Sequence, residues 1–503
     1  MTMTTNDLAR TLSPAAQDLI DGPTNWINGT WEDGDADTRL NIVNPSTTEE
    51  IRTVANATTS QAERAVASAR RAFDLGPWKD ATPRERSEVI LQIADIMDRH
   101  REELAEIIVT EVGTPIGLTR AMQVGMPIGN LRWAADMALK GPHGGYQEGL
   151  PPHLGPPASN SLLQRIPVGV VAGITGYNFP INSVAWKLGP GLAAGCSLVF
   201  KPSPRTPLAT LAFMRLVEQA DLPQGVVNFV MGDGDVGETL SSHPDVDMVM
   251  FTGSLAVGRH IMQAAAHTTK RLVLELGGKS ASIILPGSDV DDIVANSIYR
   301  FARNSGQGCG ATTRTLVPRA MYDEYADAAF RFMAEMKVGS PWAEDTDLGP
   351  LIRAEQRDFV EGHLNGALER GGSLVAGGGR PEGLPGYFMN PAIIGNVNNS
   401  DLICQEELFG PVGTLLPYDD VEQALAIAHD SPYGLHAAVF GEPAEAHQLA
   451  LRLRTGAVTV NGGGFMRPEG PWGGFGLSGF GREMGEDGFR EFFQVKHIQW
   501  PLR

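Results

Sequence analysis

Three residues have the types and settings for chemistry at a carbonyl carbon: Cys309, Glu275 and Asn178. Cys309 stands in NSGQGCGATTR between Gly308 and Gly310, so a ligand can come close to both its thiol and its backbone N–H. That exposure suits a nucleophile. A free cysteine is ordinarily a small buried core thiol, a state that fits Cys196 in GLAAGCSLVF and Cys404 better. Glu275 closes the apolar run of LVLELGGKS, where partial burial poises a carboxylate as a base, although alone it reads equally as a salt-bridged or capping glutamate. Asn178, in GITGYNFP, follows a strand-like run and precedes a proline, a place from which its amide can donate into a cleft; an Asn in a turn is more often structural.

Two segments compete for a nucleotide. Residues 232–237 match GxGxxG after the strand-like VVNFV, yet they set Asp233 and Asp235 where a diphosphate would sit, and two carboxylates repel that anion. FTGSLAVG, residues 251–258, is the better candidate: a strand runs through Gly253 and Ser254 into a helix opening near Gly258, whose free N–H groups suit phosphate. An ordinary strand-to-helix turn remains the plain reading of that segment. Lys201, ending the run SLVF, can reach a ribose or phosphate from a neighbouring strand end, unless it is a solvated surface lysine. GGKS at 277–280 lacks the upstream glycine of a Walker A loop, no G-x-S-x-G elbow occurs, and the 11 histidines show no HExxH or paired spacing, so no catalytic metal is indicated.

The elements that must position these residues follow from periodicity. Apolar residues recur at helical spacing over 61–73 and 83–112, with Thr82-Pro83 as a start signal and Gly113 as a stop. Residues 141–157 are too rich in Gly and Pro for a packed element and are expected to form an extended excursion. After them VGVVAGI, SLVF, a helix over 207–220, VVNFV, DMVMF and a helix over 256–267 alternate, which predicts a parallel sheet with helices on both faces. A second α/β series is expected from RLVLELGG and SASIIL, through helices over 290–302 and 321–336, into a glycine-rich tail. REFFQVKHIQW is strand-like and needs a pairing partner. The first twenty or so residues are expected to drape loosely over the surface. The uncharged run 166–186 is long enough to span a bilayer, but Pro167, Pro180, Asn178, Asn182 and its glycines argue for strand, turn and helix start instead.

Composition sets the outer bounds. The chain has 503 residues, 42% hydrophobic, long enough for two or three packed domains. Its net charge of -19 gives no reason to bind nucleic acid or anionic lipid. Three scattered cysteines make no disulfide framework and MTMTTNDLAR lacks the apolar core of a signal peptide, so a cytoplasmic location is expected.

Taken in order, GYNFP at 176–180, FKPSP at 200–204, FTGS at 251–254, ELGGKS at 275–280, GQGC at 306–309, EELFGP at 406–411 and PWGGFGLSGFGREMG at 471–485 resemble the aldehyde dehydrogenase superfamily, from about Trp26 to the C-terminus. The resemblance implies an α/β fold with a Rossmann-like dinucleotide-binding domain (residues 1–142 and 163–274), a catalytic domain with a parallel-type sheet (275–483), and a small β oligomerisation arm (143–162 and 484–503) serving a homodimer or homotetramer. It implies oxidation of an aldehyde to a carboxylic acid, with Cys309 as nucleophile, Glu275 as general base, and Asn178 with the Cys309 backbone N–H as oxyanion donors. Coenzyme-A-acylating relatives usually lack the glutamate, so its presence argues for a free acid product. NAD is the implied cofactor, held by Lys201, Ser203, Gly253, Ser254, Gly258, Glu407 and Phe409. Many NAD-preferring members carry a glutamate where this chain has Pro204, which leaves NADP open. Tyr177 stands in place of the commoner tryptophan, and Asn182 and Ser183 in place of apolar residues. With Phe179, Trp186 and Phe465 or Trp472, Tyr177 and Asn182 are expected to wall a somewhat polar substrate tunnel; core packing fits Trp472 at least as well. The competing classes are a cysteine esterase or thioesterase and a non-catalytic nucleotide-binding protein.

Overall fold

Five apolar strands, Val170–Ile174, Ser197–Lys201, Val227–Phe229, Met248–Thr252 and Arg271–Glu275, run parallel in the spatial order 3-2-1-4-5. The structure, a computed structural model, describes Leu8, residues 10–464 and residues 466–502. Alternation of side chains across the pleat fills two separate cores. Val171, Leu198, Phe200, Met248 and Met250 pack to one side with the helices Pro83–Arg99, Arg101–Val112 and Pro180–Ala194. Val170, Ala172, Val199, Val249 and Phe251 pack to the other with Thr59–Leu75 and Gly234–Ser242. The order reverses at the first strand, and ligands of such sheets bind at the carboxyl ends of the strands beside that reversal.

The helix expected over 83–112 is two, broken at His100. Its start is the capping box of Thr82 and Glu85, and Gly113 ends it with a φ of +77°. RLVLE, assigned above to the second series, belongs to the first sheet instead: Arg271–Glu275 pairs in parallel with Met248–Thr252, because its apolar face completes that core. The N-terminal segment also departs from expectation. Ser13 caps a helix Pro14–Ile20 that buries Leu19 and Ile20, and two large aliphatic side chains outweigh the polar average of the stretch.

A second sheet has seven strands, Ser373–Gly377, Ala392–Gly395, Val412–Tyr418, Arg314–Pro318, Ala281–Ile284, His436–Phe440 and Ala457–Val460 in spatial order, parallel except for the first pair. A third is antiparallel: Ser159–Pro167 lies between the C-terminal strand Phe493–Pro501 and Gln147–His153. The Gly/Pro-rich excursion therefore does contain a strand. It tolerates Pro151 and Pro152 because it is an edge strand whose register shifts between Leu150 and His153. The central strand runs on to Pro167, and Gly479–Phe480 joins the first sheet beside Arg271–Glu275. No helix among the described residues is long and apolar enough to cross a membrane; residues 166–186 are strand, turn and helix start.

Candidate active site

The loop leaving the first strand carries Asn178 to the second sheet's territory and fastens it there. Its carbonyl accepts hydrogen bonds from Gln123 Nε2 at 3.0 Å and Asn304 Nδ2 at 3.2 Å, while its own Nδ2 donates to the Gln307 carbonyl at 2.9 Å. An amide has two N–H donors, so one is left to point at a ligand.

The segment from Asn304 to Gly310 is held in an unusual path. Asn304, Ser305 and Gly306 have φ values of +54°, +55° and +73°, left-handed backbone that costs on the order of 1–3 kcal/mol for each non-glycine residue. Thr114 Oγ1 donates to Asn304 Oδ1 at 2.7 Å and Ser305 Oγ donates to the Gly349 carbonyl at 2.7 Å, so the path is over-determined. At Gly306 a Cβ would lie 2.0 Å from the Gly410 carbonyl carbon, which is how GQGC and EELFGP interlock. At Gly308 a Cβ would meet nothing within 4 Å. There is open space beside the cysteine. Cys309 is partly exposed, whereas Cys196 and Cys404 are buried.

Glu275 ends the fifth strand of the first sheet, almost fully buried. Its carboxylate accepts from Trp472 Nε1 at 3.1 Å and is close enough to the Cys309 thiol for each to shift the other's pKa. Burial, then the charge of Glu483, push its pKa up to about 8, against the hydrogen bonds from Cys309 and Trp472 and the charge of Lys187. Behind it Lys187 Nζ meets Glu483 Oε1 at 2.6 Å, both side chains being buried. The Cys309 thiol is pushed well above the usual thiol range by desolvation and by Glu275. Sulfur and carboxyl thus share a proton economy in which neither ionises readily without a ligand.

Gly277 and Gly278 explain the rest of ELGG. A Cβ at 277 would sit 1.9 Å from Glu407 Oε2, and one at 278 would sit 2.8 Å from the Cys309 carbonyl oxygen. The segment threads between those residues, and the Gly278 N–H donates to Glu407 Oε1 at 3.0 Å. Burial raises Glu407 to about 7, opposed by that N–H and by Lys279. Phe409 lies edge-on to Tyr177 at 5.7 Å, held by Gln356 on its carbonyl. Tyr177 in turn donates to Gln307 Oε1 at 3.3 Å, and burial raises its phenol.

At the strand ends, Lys201 is 5% exposed and not a solvated lysine. Burial lowers its pKa to about 8, against Asp233 and Asp235, and among the described residues its Nζ donates only to the Pro202 carbonyl, at 3.3 Å. Asp233 caps the helix Gly234–Ser242 with its own side chain, so that helix start is already occupied by a carboxylate. Ser203 Oγ accepts from the Arg205 N–H. Ser254, exposed, caps the helix Leu255–Ala266, and the Gly253 N–H donates to the Glu275 carbonyl at 3.0 Å, which joins the phosphate-suited turn directly to the base. Gly258 plays a packing part: a Cβ there would strike Leu276 at 2.7 Å.

Among the expected tunnel residues, Trp186 packs with Trp472, Leu435 and Met484, against partly buried Cys309 and Met466. Phe179 is partly buried before the helix Pro180–Ala194. Asn182 is 1% exposed and donates to the Met122 carbonyl at 2.9 Å, so one end of its amide anchors the helix. Phe465 lies outside the described residues. Gln307, Gln123, Lys187 and Glu483 were missed by sequence reasoning. Gln307 sits inside GQGC and Lys187 is a lone charge in an apolar helix, which were signals; Gln123 and Glu483 gave none.

Comparison with known proteins agrees with this geometry. The model of the "Aldehyde dehydrogenase family" matches residues 31–498. The chain is 37% identical over 479 residues to betaine aldehyde dehydrogenase of Bacillus subtilis (strain 168), covering 94% of this chain and 96% of that one. It is 37% identical over 478 residues to 3-succinoylsemialdehyde-pyridine dehydrogenase of Pseudomonas sp, covering 94% and 97%. Among solved structures it is similar to a mutant aldehyde dehydrogenase C from Pseudomonas syringae in complex with NAD+ and octanal (38% identity, TM-score 0.90, 97% of this chain and 98% of that one). It is also similar to betaine aldehyde dehydrogenase from Staphylococcus aureus in complex with NAD+ (35% identity, TM-score 0.92, 97% and 96%).

Proposed function

Because this chain belongs to the aldehyde dehydrogenase family and oxidises an aldehyde to a carboxylic acid with NAD+, we propose that Cys309 is its nucleophile, Glu275 its general base and Asn178 its oxyanion donor. The observation that carries this reading is the convergence of the partly exposed Cys309 and the buried Glu275 carboxylate, close enough to shift one another's pKa, beside the open space at Gly308.

Bound NAD+ supplies the hydride acceptor. The residues present suit it: a buried lysine with a single weak hydrogen bond at the sheet's reversal, the turn at Gly253 and Ser254, and Glu407 oriented by the Gly278 N–H. Lys201, Ser203, Ser254, Glu407 and Phe409 would hold it. The protein does the rest. The Cys309 sulfur, its proton released to solvent, adds as thiolate to the aldehyde carbon, while the spare Asn178 N–H and the Cys309 N–H receive the developing oxyanion. Loss of hydride leaves a thioester on the sulfur. Glu275 then takes a proton from water, the hydroxide displaces the thiolate, and the acid departs.

Trp186, Trp472, Tyr177 and Phe179 give the substrate path aromatic walls, which accept an aliphatic chain by burial or a quaternary ammonium by cation–π attraction. A panel of aldehydes spanning octanal and betaine aldehyde, with NAD+ and NADP+, tests the reading: absence of cofactor reduction with every member would overturn it. Pro204 leaves no carboxylate to repel a 2′-phosphate, so NADP+ is used as well.

The dinucleotide-binding portion is residues 1–142 and 163–274, the catalytic portion 275–483, and the arm 143–162 with 484–503. Val495, Ile498 and Trp500 are exposed on the outer strand of the three-stranded sheet, an apolar edge that suits pairing with a second copy in a homodimer or homotetramer. A monomer by light scattering would refute that. Free thiols at Cys196, Cys309 and Cys404 support a location in the reducing cytoplasm.

A further inference from the structure

Two cations are buried at the second sheet, and among the described residues neither forms an ion pair with a carboxylate. Arg314 is 1% exposed and spends its guanidinium on neutral acceptors: the carbonyls of Lys279, Ile427 and Ala428 at 2.9, 2.9 and 3.0 Å, and Asn399 Oδ1 at 2.9 Å. One of its five N–H groups is left. Lys279 is 2% exposed, and its Nζ has no hydrogen-bond partner; the same is true of the buried Oγ of Ser280. Burial lowers Lys279 to about 8, with Arg314 adding to the fall and Cys404, Glu407 and Glu406 opposing it. The Cys404 thiol, whose ionised form would compensate both, is kept neutral by its own burial. Glu407 turns one oxygen to the Gly278 N–H, and Asp430 is exposed and accepts from Asn399.

Lys279, Ser280 and Arg314 line one cavity of about 20 Å³, closed by the segments that carry His429 and Arg454. No Asp or Glu lines it. That is room for a water-sized occupant. A water would satisfy the orphaned donors but add no negative charge beside two adjacent buried cations that lack an ion pair, the more expensive defect.

We propose that this cavity is a binding site for a monatomic anion, chloride, held by the Lys279 ammonium, the Ser280 hydroxyl and the remaining Arg314 N–H. The site is separate from the reaction centre, but its lysine follows Gly278, whose N–H orients Glu407, so occupancy also steadies that segment.

The full-length enzyme is melted in sodium chloride and in sodium gluconate at equal ionic strength, and crystals grown in sodium bromide are measured at the bromine edge. The expected result is a Tm that climbs with chloride and not with gluconate, together with an anomalous peak inside the cavity. Lys279→Met should abolish the chloride dependence; if that variant does not fold, Ser280→Ala should move the chloride midpoint severalfold higher. Equal Tm in the two salts, an empty or water-filled cavity in bromide, or chloride dependence unchanged in a variant that folds would each overturn the site. A bromide peak without any chloride dependence in solution would overturn it too, as binding at crystal concentration only.

Discussion

The indole of Trp472 donates to the Glu275 carboxylate at 3.1 Å across 197 residues of chain, and the Trp472 backbone is paired with that of Glu483, whose carboxylate meets Lys187. The candidate base is therefore gripped from the glycine-rich tail. Its basicity is set as much by that tail as by the strand that carries it.

Trp472→Phe tests this grip. The hydrogen bond favours the ionised carboxylate, so its loss raises a pKa already near 8. A bond to a charged group is worth about 1.5–3 kcal/mol, or upward of about one pH unit. In the wild type, turnover limited by deacylation should rise with pH until about 8; in the variant that limb moves to higher pH. An unmoved limb would separate Trp472 from the base.

Cys309→Ala and Glu275→Gln should part company in pre-steady-state kinetics. The first loses aldehyde-dependent cofactor reduction by more than about a thousandfold, because no thiohemiacetal forms. The second keeps a burst of NADH of about one equivalent and slows the steady state by about 10²–10⁴. A Glu275→Gln enzyme with no burst would move the glutamate to an earlier step.

Asn178→Ala removes one oxyanion donor, and also the clasp on the Gln307 carbonyl. Turnover should fall about 10²–10³-fold with a smaller change in KM. A change confined to KM would recast Asn178 as a binding residue only.

Gly278→Ala places a methyl 2.8 Å from the Cys309 carbonyl oxygen, whereas Gly308→Ala meets nothing. The first should lose activity and stability together, and the second should fold with an unchanged Tm while raising KM by filling the space beside the sulfur. Equal thermal stability of the two variants would argue against this packing.

Pro204→Glu supplies a carboxylate three residues after Lys201, at the strand end proposed to hold the cofactor's adenosine side. The kcat/KM for NADP+ should drop by about tenfold or more, that for NAD+ far less; parallel losses would remove Pro204 from cofactor choice.

Much of the architecture was legible because strand and helix periods are local. The alternation over 170–266, the Thr82 cap and the Gly113 stop all stand where side-chain spacing put them. Errors came where a local average misled. Leu19 and Ile20 anchor a helix in a polar stretch, and Pro151 and Pro152 sit in an edge strand whose register shift spares the ladder. Arg271–Glu275 joined the other sheet because strand partnership is decided by whole cores and not by the run itself.

The identity of the chemical groups was written in the chain: a cysteine among glycines, a carboxylate ending an apolar strand, and an asparagine before a proline each announce themselves by type and neighbour. What they do to one another was not. The proximity that couples Glu275 to Cys309, the indole that donates to Glu275, the Lys187 and Glu483 pair behind it and the Lys279 ammonium without a hydrogen bond among the described residues all depend on distances between segments far apart in order. Desolvation and Coulomb terms act through space, so only the packed molecule sets their size.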